Sequence, residues 1–140
     1  MPDAEVPFLD TNIVLYALSQ DESKRQRAIE LLVDGPVISA QVLSEASNVL
    51  ARKYGLAPTE VVERISEILR YVAIVRPVDE ATVRTGWEVW QRYRFAWYDS
   101  LIIAAALAAG CNILYTEDMQ HGQVINGKLT LLNPFVPDND

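Results

Sequence analysis

Short apolar runs alternate with longer helix-like segments along this chain, and this alternation restricts the fold more than any other feature. The apolar runs have the length of buried strands and are bounded by turn residues. We predict strands at residues 6–9, 37–38, 72–75, 113–115 and, at an edge of the sheet, 129–132. We predict helices at residues 11–19, 23–33, 40–54, 58–70, 80–93 and 98–110, with Thr11 or Asn12 capping the first, Ser39 the third and Asp79 the fifth. Strands that alternate with helices favour an α/β fold with a parallel, helix-covered sheet.

Size and composition favour one independently folding unit. The 140 residues are an ordinary length for one domain, and we expect a single domain over residues 1–140. Cys111 is the only cysteine, which excludes an internal disulfide framework, and we expect it to be buried. The chain shows no secretory signal and no apolar run of the roughly 18 residues that span a bilayer. We therefore expect a cytoplasmic protein with no membrane partner.

The charge balance argues against a broad phosphate-binding surface. The net charge is −7, and the twelve lysine and arginine residues are scattered rather than grouped. Proteins that grip nucleic acid through its phosphates usually present a basic surface. The acidic balance fits a metal-centred site or a protein held by a basic partner.

Two aspartates follow predicted strands at equivalent places. Asp10 comes directly after the first strand, and Asp118 lies just beyond the fourth. In open α/β sheets, ligands bind outside the carboxyl ends of the strands, so the two carboxylates can share one crevice. Taken singly, each is equally explained as a loop acid or a helix cap.

Glu45 and Asp99 are the other two acids of interest. Glu45 falls at i+3 from Val42 in the third helix, within or at the boundary of the core-facing stripe. A buried carboxylate needs a cation, a donor network or water. Asp99 precedes a segment that is apolar on all sides, which predicts a buried central helix. Asp99 is explained either as the N-cap of that helix or as a group directed at the crevice.

The four acids together indicate a hard divalent cation. Neighbouring carboxylates repel each other, and a cation relieves the repulsion. Oxygen ligands favour Mg²⁺ or Mn²⁺ over zinc, and His121 is the only histidine. The chain contains no phosphate-binding glycine loop, no dinucleotide-binding fingerprint and no nucleophile elbow.

Four sequence blocks resemble those of PIN-domain ribonucleases. They are Phe8-Leu9-Asp10-Thr11-Asn12, Ser44-Glu45, Tyr98-Asp99-Ser100-Leu101-Ile102 and Leu114-Tyr115-Thr116-Glu117-Asp118. Their order and spacing match over nearly the whole chain, and the compact length is similar to VapC-like toxins of toxin–antitoxin pairs. The resemblance implies a Rossmann-like α/β/α sandwich, Mg²⁺-dependent cleavage of RNA, and a small antitoxin that lies in the toxin's groove. It leaves a homodimer open.

The resemblance also implies roles for individual residues. Asp10, Glu45, Asp99 and Asp118 match the catalytic acids of the family, with metal held by the three aspartates and with Glu45 binding through water or activating the nucleophile. Asn12 matches a polar residue that orders the first acid, and Thr116 a hydroxyl that can hold metal-bound water. His121 stands where related toxins often have a further acid, which weakens the case for a second metal. The implied products carry 5′-phosphate and 3′-hydroxyl ends.

An aromatic and basic cluster precedes Asp99. Such interleaving can stack bases and hold phosphates. The spacing of Val83, Trp87 and Trp90 favours the core for those three. We expect Arg92, Arg94, Trp97 and His121 to contact substrate or antitoxin.

Two other functions remain open from the sequence. The chain could be a catalytically inactive PIN-like binding module that sequesters RNA or an antitoxin, although the intact set of acids argues against this. It could also cleave structured DNA, although no additional DNA-gripping element is visible.

Overall fold

The computed structural model describes residues 5–137, and the predicted alternation of strands and helices is present there. The strands are β1 (Pro7–Leu9), β2 (Val37–Ser39), β3 (Ile74–Arg76), β4 (Ile113–Tyr115), β5 (Val124–Ile125) and β6 (Leu129–Leu132). The helices are α1 (Thr11–Ala17), α2 (Glu22–Val33), α3 (Ala40–Arg52), α4 (Pro58–Leu69), α5 (Glu80–Tyr93) and α6 (Trp97–Ala108). The predicted α/β class is confirmed.

The strands form one sheet in the order β3-β2-β1-β4-β6-β5. All neighbouring pairs are parallel except β5 with β6, which is antiparallel. The predicted position of strand 129–132 at an edge is wrong, because β5 pairs with its outer side. β5 has only two residues, too few for a periodic pattern. It is joined to β6 by residues 126–128, of which Asn126 and Gly127 have the positive φ typical of tight hairpins.

The chain reverses its direction across the sheet at β1. From β1 it proceeds outwards through β2 to β3, and it then returns to the other side of β1 as β4. Phe8 pairs with Leu114 and Leu9 with Tyr115, so Asp10 and Thr116 leave the sheet side by side. Such a switch point opens a crevice at the carboxyl ends of the two strands.

Side-chain caps begin several helices. Ser39 caps α3 and Asp79 caps α5, as predicted. The expected cap of the first helix at Thr11 or Asn12 is wrong: Asp10 is the cap and α1 begins at Thr11. Asp10 follows β1 directly, its backbone is still extended, and its side chain accepts the free N–H of Thr11.

The sixth helix is the buried central helix that was predicted. Residues 100–106 are all buried. The helix begins at Trp97, with Ala96 as a cap that lacks a side-chain bond. Asp99 is therefore the third helical residue rather than the N-cap. Cys111, just beyond the helix, is buried as expected, and burial raises the pKa of its thiol to about 11.

Helix α5 turns a different face to the core from the predicted one. The side chains of Trp87 and Trp90 are 46% and 47% exposed, whereas Gly86 and Val89 are buried. A Cβ atom at Gly86 would lie 3.2 Å from Cη2 of Trp97, so the glycine allows α6 to approach closely. Close helix packing, rather than indole hydrophobicity, determines the buried face.

Within residues 5–137, no helix has both the length and the apolar character needed to cross a bilayer.

Candidate active site

Asp10 is the most buried acid at the carboxyl edge of the sheet, with 6% exposure. Its Oδ1 accepts a bond from the Thr11 N–H at 2.6 Å, and its Oδ2 accepts one from the Thr116 hydroxyl at 2.8 Å. Burial raises the pKa of Asp10 to about 7. The two hydrogen bonds oppose this rise, and the charges of Asp99 and Glu45 add to it. Asp10 is thus fixed in place and easily protonated.

Glu45 lies at the boundary of α3, partly buried, rather than inside its core face. Its Oε1 accepts from the Thr11 hydroxyl at 2.9 Å and from the Gln41 Nε2 at 3.3 Å. The donor network that a partly buried carboxylate needs is therefore supplied by the residue after Asp10 and by a neighbour on the same helix.

Asp99 projects from the first turn of α6 and is partly buried. Burial, followed by the charges of Asp118 and Glu45, raises the pKa of Asp99 above its usual value. Because Asp99 also affects Asp10, all four predicted acids lie within electrostatic reach of at least one other member.

Asp118 is the exposed member of the set. Its Oδ2 accepts a bond from Asn12 Nδ2 at 2.9 Å, and its backbone N–H donates to the Thr116 hydroxyl at 3.3 Å. Asn12 therefore contacts the last acid rather than the first. The hydroxyl of Thr116 connects Asp10 to the Asp118 backbone, so one threonine orders both ends of the acidic crevice.

The donor chemistry of the crevice fits a hard divalent cation. Its acidic side chains offer oxygen ligands, neighbouring carboxylates add to the raised pKa of Asp10 and of Asp99, and Asn12 Oδ1 is buried without a hydrogen-bond partner. As the side chains stand, however, no three acidic, histidine or cysteine groups among residues 5–137 are close enough to hold one ion. Binding would require carboxylates to turn inward or to reach the ion through water.

The family assignment follows from the sequence match. A family model for the PIN domain matches residues 8–125. The chain belongs to the PIN-domain family. The resemblance drawn from the four sequence blocks is confirmed.

Solved structures with the same fold include several toxin–antitoxin proteins. A structure of FitAB bound to a DNA fragment aligns with a TM-score of 0.71 and 18% identity, covering 96% of this chain and 99% of that one. A toxin–antitoxin complex from Klebsiella pneumoniae gives 0.68 and 21%, covering 92% and 98%. VapC20 of Mycobacterium tuberculosis, described as a toxin that cleaves the sarcin–ricin loop, gives 0.65 and 20%, covering 80% and 89%. A comparison with curated proteins found no match. At these identities the similarity shows the PIN fold.

Gln41 is a member of this PIN-domain site that the sequence analysis missed. Its Nε2 donates to Glu45 Oε1 and, at 3.1 Å, to the backbone carbonyl of Tyr98. It therefore joins α3 to the start of α6, which carries Asp99. The i, i+4 spacing of Gln41 and Glu45 in the sequence could have predicted their hydrogen bond, but not the bond from Gln41 to Tyr98.

A second missed feature surrounds Glu117, between Thr116 and Asp118. The Tyr16 hydroxyl donates to Glu117 Oε1 at 2.6 Å, and the Lys24 ammonium donates to Oε2. Lys24 and Tyr16 lower the pKa of Glu117 against the opposing effect of burial. This cluster connects α1 and α2 to the segment that carries Asp118.

The four predicted contact residues lie apart from the acids' immediate bonding network. Arg92 donates to Asn126 in the β5–β6 turn at 3.3 Å, near the amino end of β6. Arg94 is exposed and ends α5 in a left-handed conformation, while Trp97 packs on Trp90 with ring centroids 5.3 Å apart. His121 Nδ1 accepts from the Asn133 N–H at 2.9 Å. Their contact with substrate or antitoxin stays a prediction.

Proposed function

We propose that this PIN-domain protein is a metal-dependent endoribonuclease and the toxin of a toxin–antitoxin pair. The observation that carries the proposal is the buried Asp10 at the switch point of the sheet, in the electrostatic field of Asp99 and Glu45. Acids with raised pKa values in a crevice are typical of functional sites. The solved structures that share the fold include a toxin described as cleaving the sarcin–ricin loop and a toxin–antitoxin complex.

In this proposal Asp10, Asp99 and Asp118 hold Mg²⁺ or Mn²⁺. When bound, such an ion would supply positive charge beside the phosphate and make a nearby water more acidic. Glu45 is the general base in this proposal; Thr11 and Gln41 hold one of its oxygens and thereby orient the carboxylate. The hydroxyl of Thr116 donates a hydrogen bond to Asp10 and keeps that carboxylate in place.

Three variants test the chemistry separately from folding. Asp10→Asn keeps the side-chain shape but removes the charge, so RNA cleavage should fall by orders of magnitude while the apo protein melts at the same or a higher temperature. Glu45→Gln should lose less activity if Glu45 only orients water. Glu60→Gln, an exposed acid in the first turn of α4, is the matched control and should change little.

The assay should use RNA and DNA with Mg²⁺, Mn²⁺ or EDTA. An Asp10→Asn protein that folds normally and cleaves RNA like wild type would exclude the carboxylate site. Preferential cleavage of structured DNA would show that DNA, rather than RNA, is the substrate.

The second candidate is an inactive binding module. Among residues 5–137, no three acidic, histidine or cysteine side chains are placed to hold one metal ion, and this favours the binding module. Tight RNA binding without cleavage at millimolar Mg²⁺ or Mn²⁺ would establish that alternative.

An antitoxin partner follows from the same acidic crevice. We expect a small antitoxin with a basic segment to neutralise it, since opposite charges across an interface guide association. Co-expression with the protein encoded by the adjacent gene should therefore suppress ribonuclease activity. Full activity in a saturated complex would contradict this expectation.

A further inference from the structure

A cavity of about 630 Å³ opens beside Glu45, between the start of α3 and the first turn of α6. Its wall includes Gln41, Ser44, Glu45, Asn48, Tyr98 and Leu101. The cavity thus shares Glu45 and Gln41 with the acidic crevice. A group bound here would lie next to the reacting centre.

Tyr98 presents an aromatic surface at this cavity. Its side chain is 64% exposed, although it belongs to the first turn of a buried helix. Its backbone carbonyl accepts the bond from Gln41, so the ring extends from a fixed backbone. An exposed ring on a rigid support is suited to stacking on a nucleobase.

Gln41 adds an acceptor that lacks a donor. Its Nε2 already donates to Glu45 and to the Tyr98 carbonyl, and these two acceptors determine which way the amide faces. The opposite atom, Oε1, is buried and has no hydrogen-bond partner. Buried acceptors are normally satisfied, and a shift of the amide that turns Oε1 toward the cavity would let the N–H groups on the edge of a base satisfy it.

We propose that this cavity is a nucleobase subsite, in which Tyr98 stacks on one unpaired base of the RNA and Gln41 Oε1 accepts a hydrogen bond from the base edge. The inference rests on the proposed ribonuclease function and specifies how the substrate is positioned. Gln41 also donates a hydrogen bond to Glu45, the proposed general base. A nucleobase bound in the subsite would therefore affect the orientation of the Glu45 carboxylate.

The test uses full-length Tyr98→Ala, Tyr98→Phe and Gln41→Met proteins, with Tyr71→Ala as the control. Tyr71 is 51% exposed and lies beyond α4, outside the cavity wall. The measurements are kcat and KM on single-stranded RNA and the base frequencies around the cleavage sites. RNA affinity is measured with proteins that carry the same substitutions together with Asp10→Asn. Thermal melts check folding.

Tyr98→Ala should raise KM and weaken RNA binding about tenfold, because one stacked base is lost, while kcat changes much less. Tyr98→Phe should behave like wild type, since the ring is retained. Gln41→Met should flatten the base preference at one position. Tyr71→Ala should change none of these.

Unchanged KM, binding and base frequencies in Tyr98→Ala, in a protein that cleaves RNA, would overturn the subsite. A variant that loses antitoxin affinity but keeps RNA affinity would also overturn it and identify a protein-docking site. If the wild type cleaves no RNA, the proposed function fails separately. Tyr98-dependent RNA binding would still support the subsite in that case.

Discussion

Asp10 combines a structural role with the proposed chemical one. It caps α1 and bonds to Thr116, yet its burial disfavours the negative charge that a metal ligand needs. A group of this kind decreases stability wherever it is ionised without a counter-ion. The residue is therefore better explained by a site that binds a cation than by folding alone.

The raised pKa of Asp10 predicts a pH dependence for the metal-free protein. The native pKa is about 7 against an ordinary 3.8, so the folded state retains a proton that the unfolded chain has released between these values. The contribution to stability is complete below the unfolded pKa and is lost as pH rises through 7. A pKa difference of about three corresponds to about 4 kcal/mol as an upper limit.

Urea denaturation in EDTA should therefore give a lower unfolding free energy at pH 8 than at pH 5.5. Asp99, whose pKa is also raised, acts in the same direction. Asp79 and Glu117 have lowered pKa values, and their contributions are lost only at more acidic pH. Asp10→Asn should remove most of the difference. An equal difference in unfolding free energy between pH 5.5 and pH 8 in wild type and variant would contradict the prediction.

At the scale of elements, packing between helices positions the acids. Gly86 in α5 lets Trp97 of α6 approach, and Asp99 follows Trp97 by two residues. On the other side of the crevice, Lys24 in α2 lies 4.7 Å from the ring centre of Tyr16 in α1 and also bonds to Glu117 beyond β4. The segments that carry Asp99 and Asp118 thus depend on contacts made by other elements.

Lys24→Met should reduce activity more than stability. The change keeps most of the apolar stem but removes the ammonium that holds Glu117, next to Asp118. We expect kcat/KM to fall several-fold because Asp118 is less well positioned. The free energy of unfolding should change little, since both side chains are partly exposed.

The control for this prediction is Arg84→Met. Arg84 pairs with Glu80 at an exposed i, i+4 position of α5, so neither activity nor stability should change appreciably. Identical kcat/KM in Lys24→Met and wild type would show that Glu117 does not position Asp118.

At the scale of the whole molecule, the topology gathers like charges at one edge. β1 and β4 are more than one hundred residues apart in sequence and adjacent in the sheet, so Asp10 and Asp118 follow neighbouring strands. In a protein with a net charge of −7, this arrangement attracts cations and repels phosphates. The fold therefore creates the electrostatic problem that the proposed metal resolves.

Metal binding should stabilise the fold. At a free Mg²⁺ or Mn²⁺ concentration ten times Kd, the unfolding free energy should rise by about 1.4 kcal/mol. At one fixed metal concentration the gain should be larger at pH 8 than at pH 5.5, because the ligands must release protons and the metal binds more tightly at the higher pH. Asp99→Asn should remove most of the gain and Glu60→Gln none. Calorimetry without detectable binding at millimolar metal would exclude the shared site.

Local features of the sequence were sufficient for most of the architecture and for the family. Ser39 and Asp79 mark helix starts because their oxygens satisfy free N–H groups of the first turn. The uniformly apolar segment 101–109 predicted the buried α6, because such a helix needs cover on every side. The order of the four acidic blocks pointed to the PIN family, which the family model confirms.

The tertiary structure alone determined the partners and the orientation of each side chain. Thr11 bonds to Glu45 across 34 residues, Gln41 to Tyr98 across 57, and Asn12 to Asp118 rather than to Asp10 across 106. Such contacts depend on where whole elements pack, and no local periodicity encodes that. The exposed indoles of α5 and the outer strand β5 have the same cause. Close packing at a glycine and pairing along a strand edge are properties of neighbours that are distant in sequence.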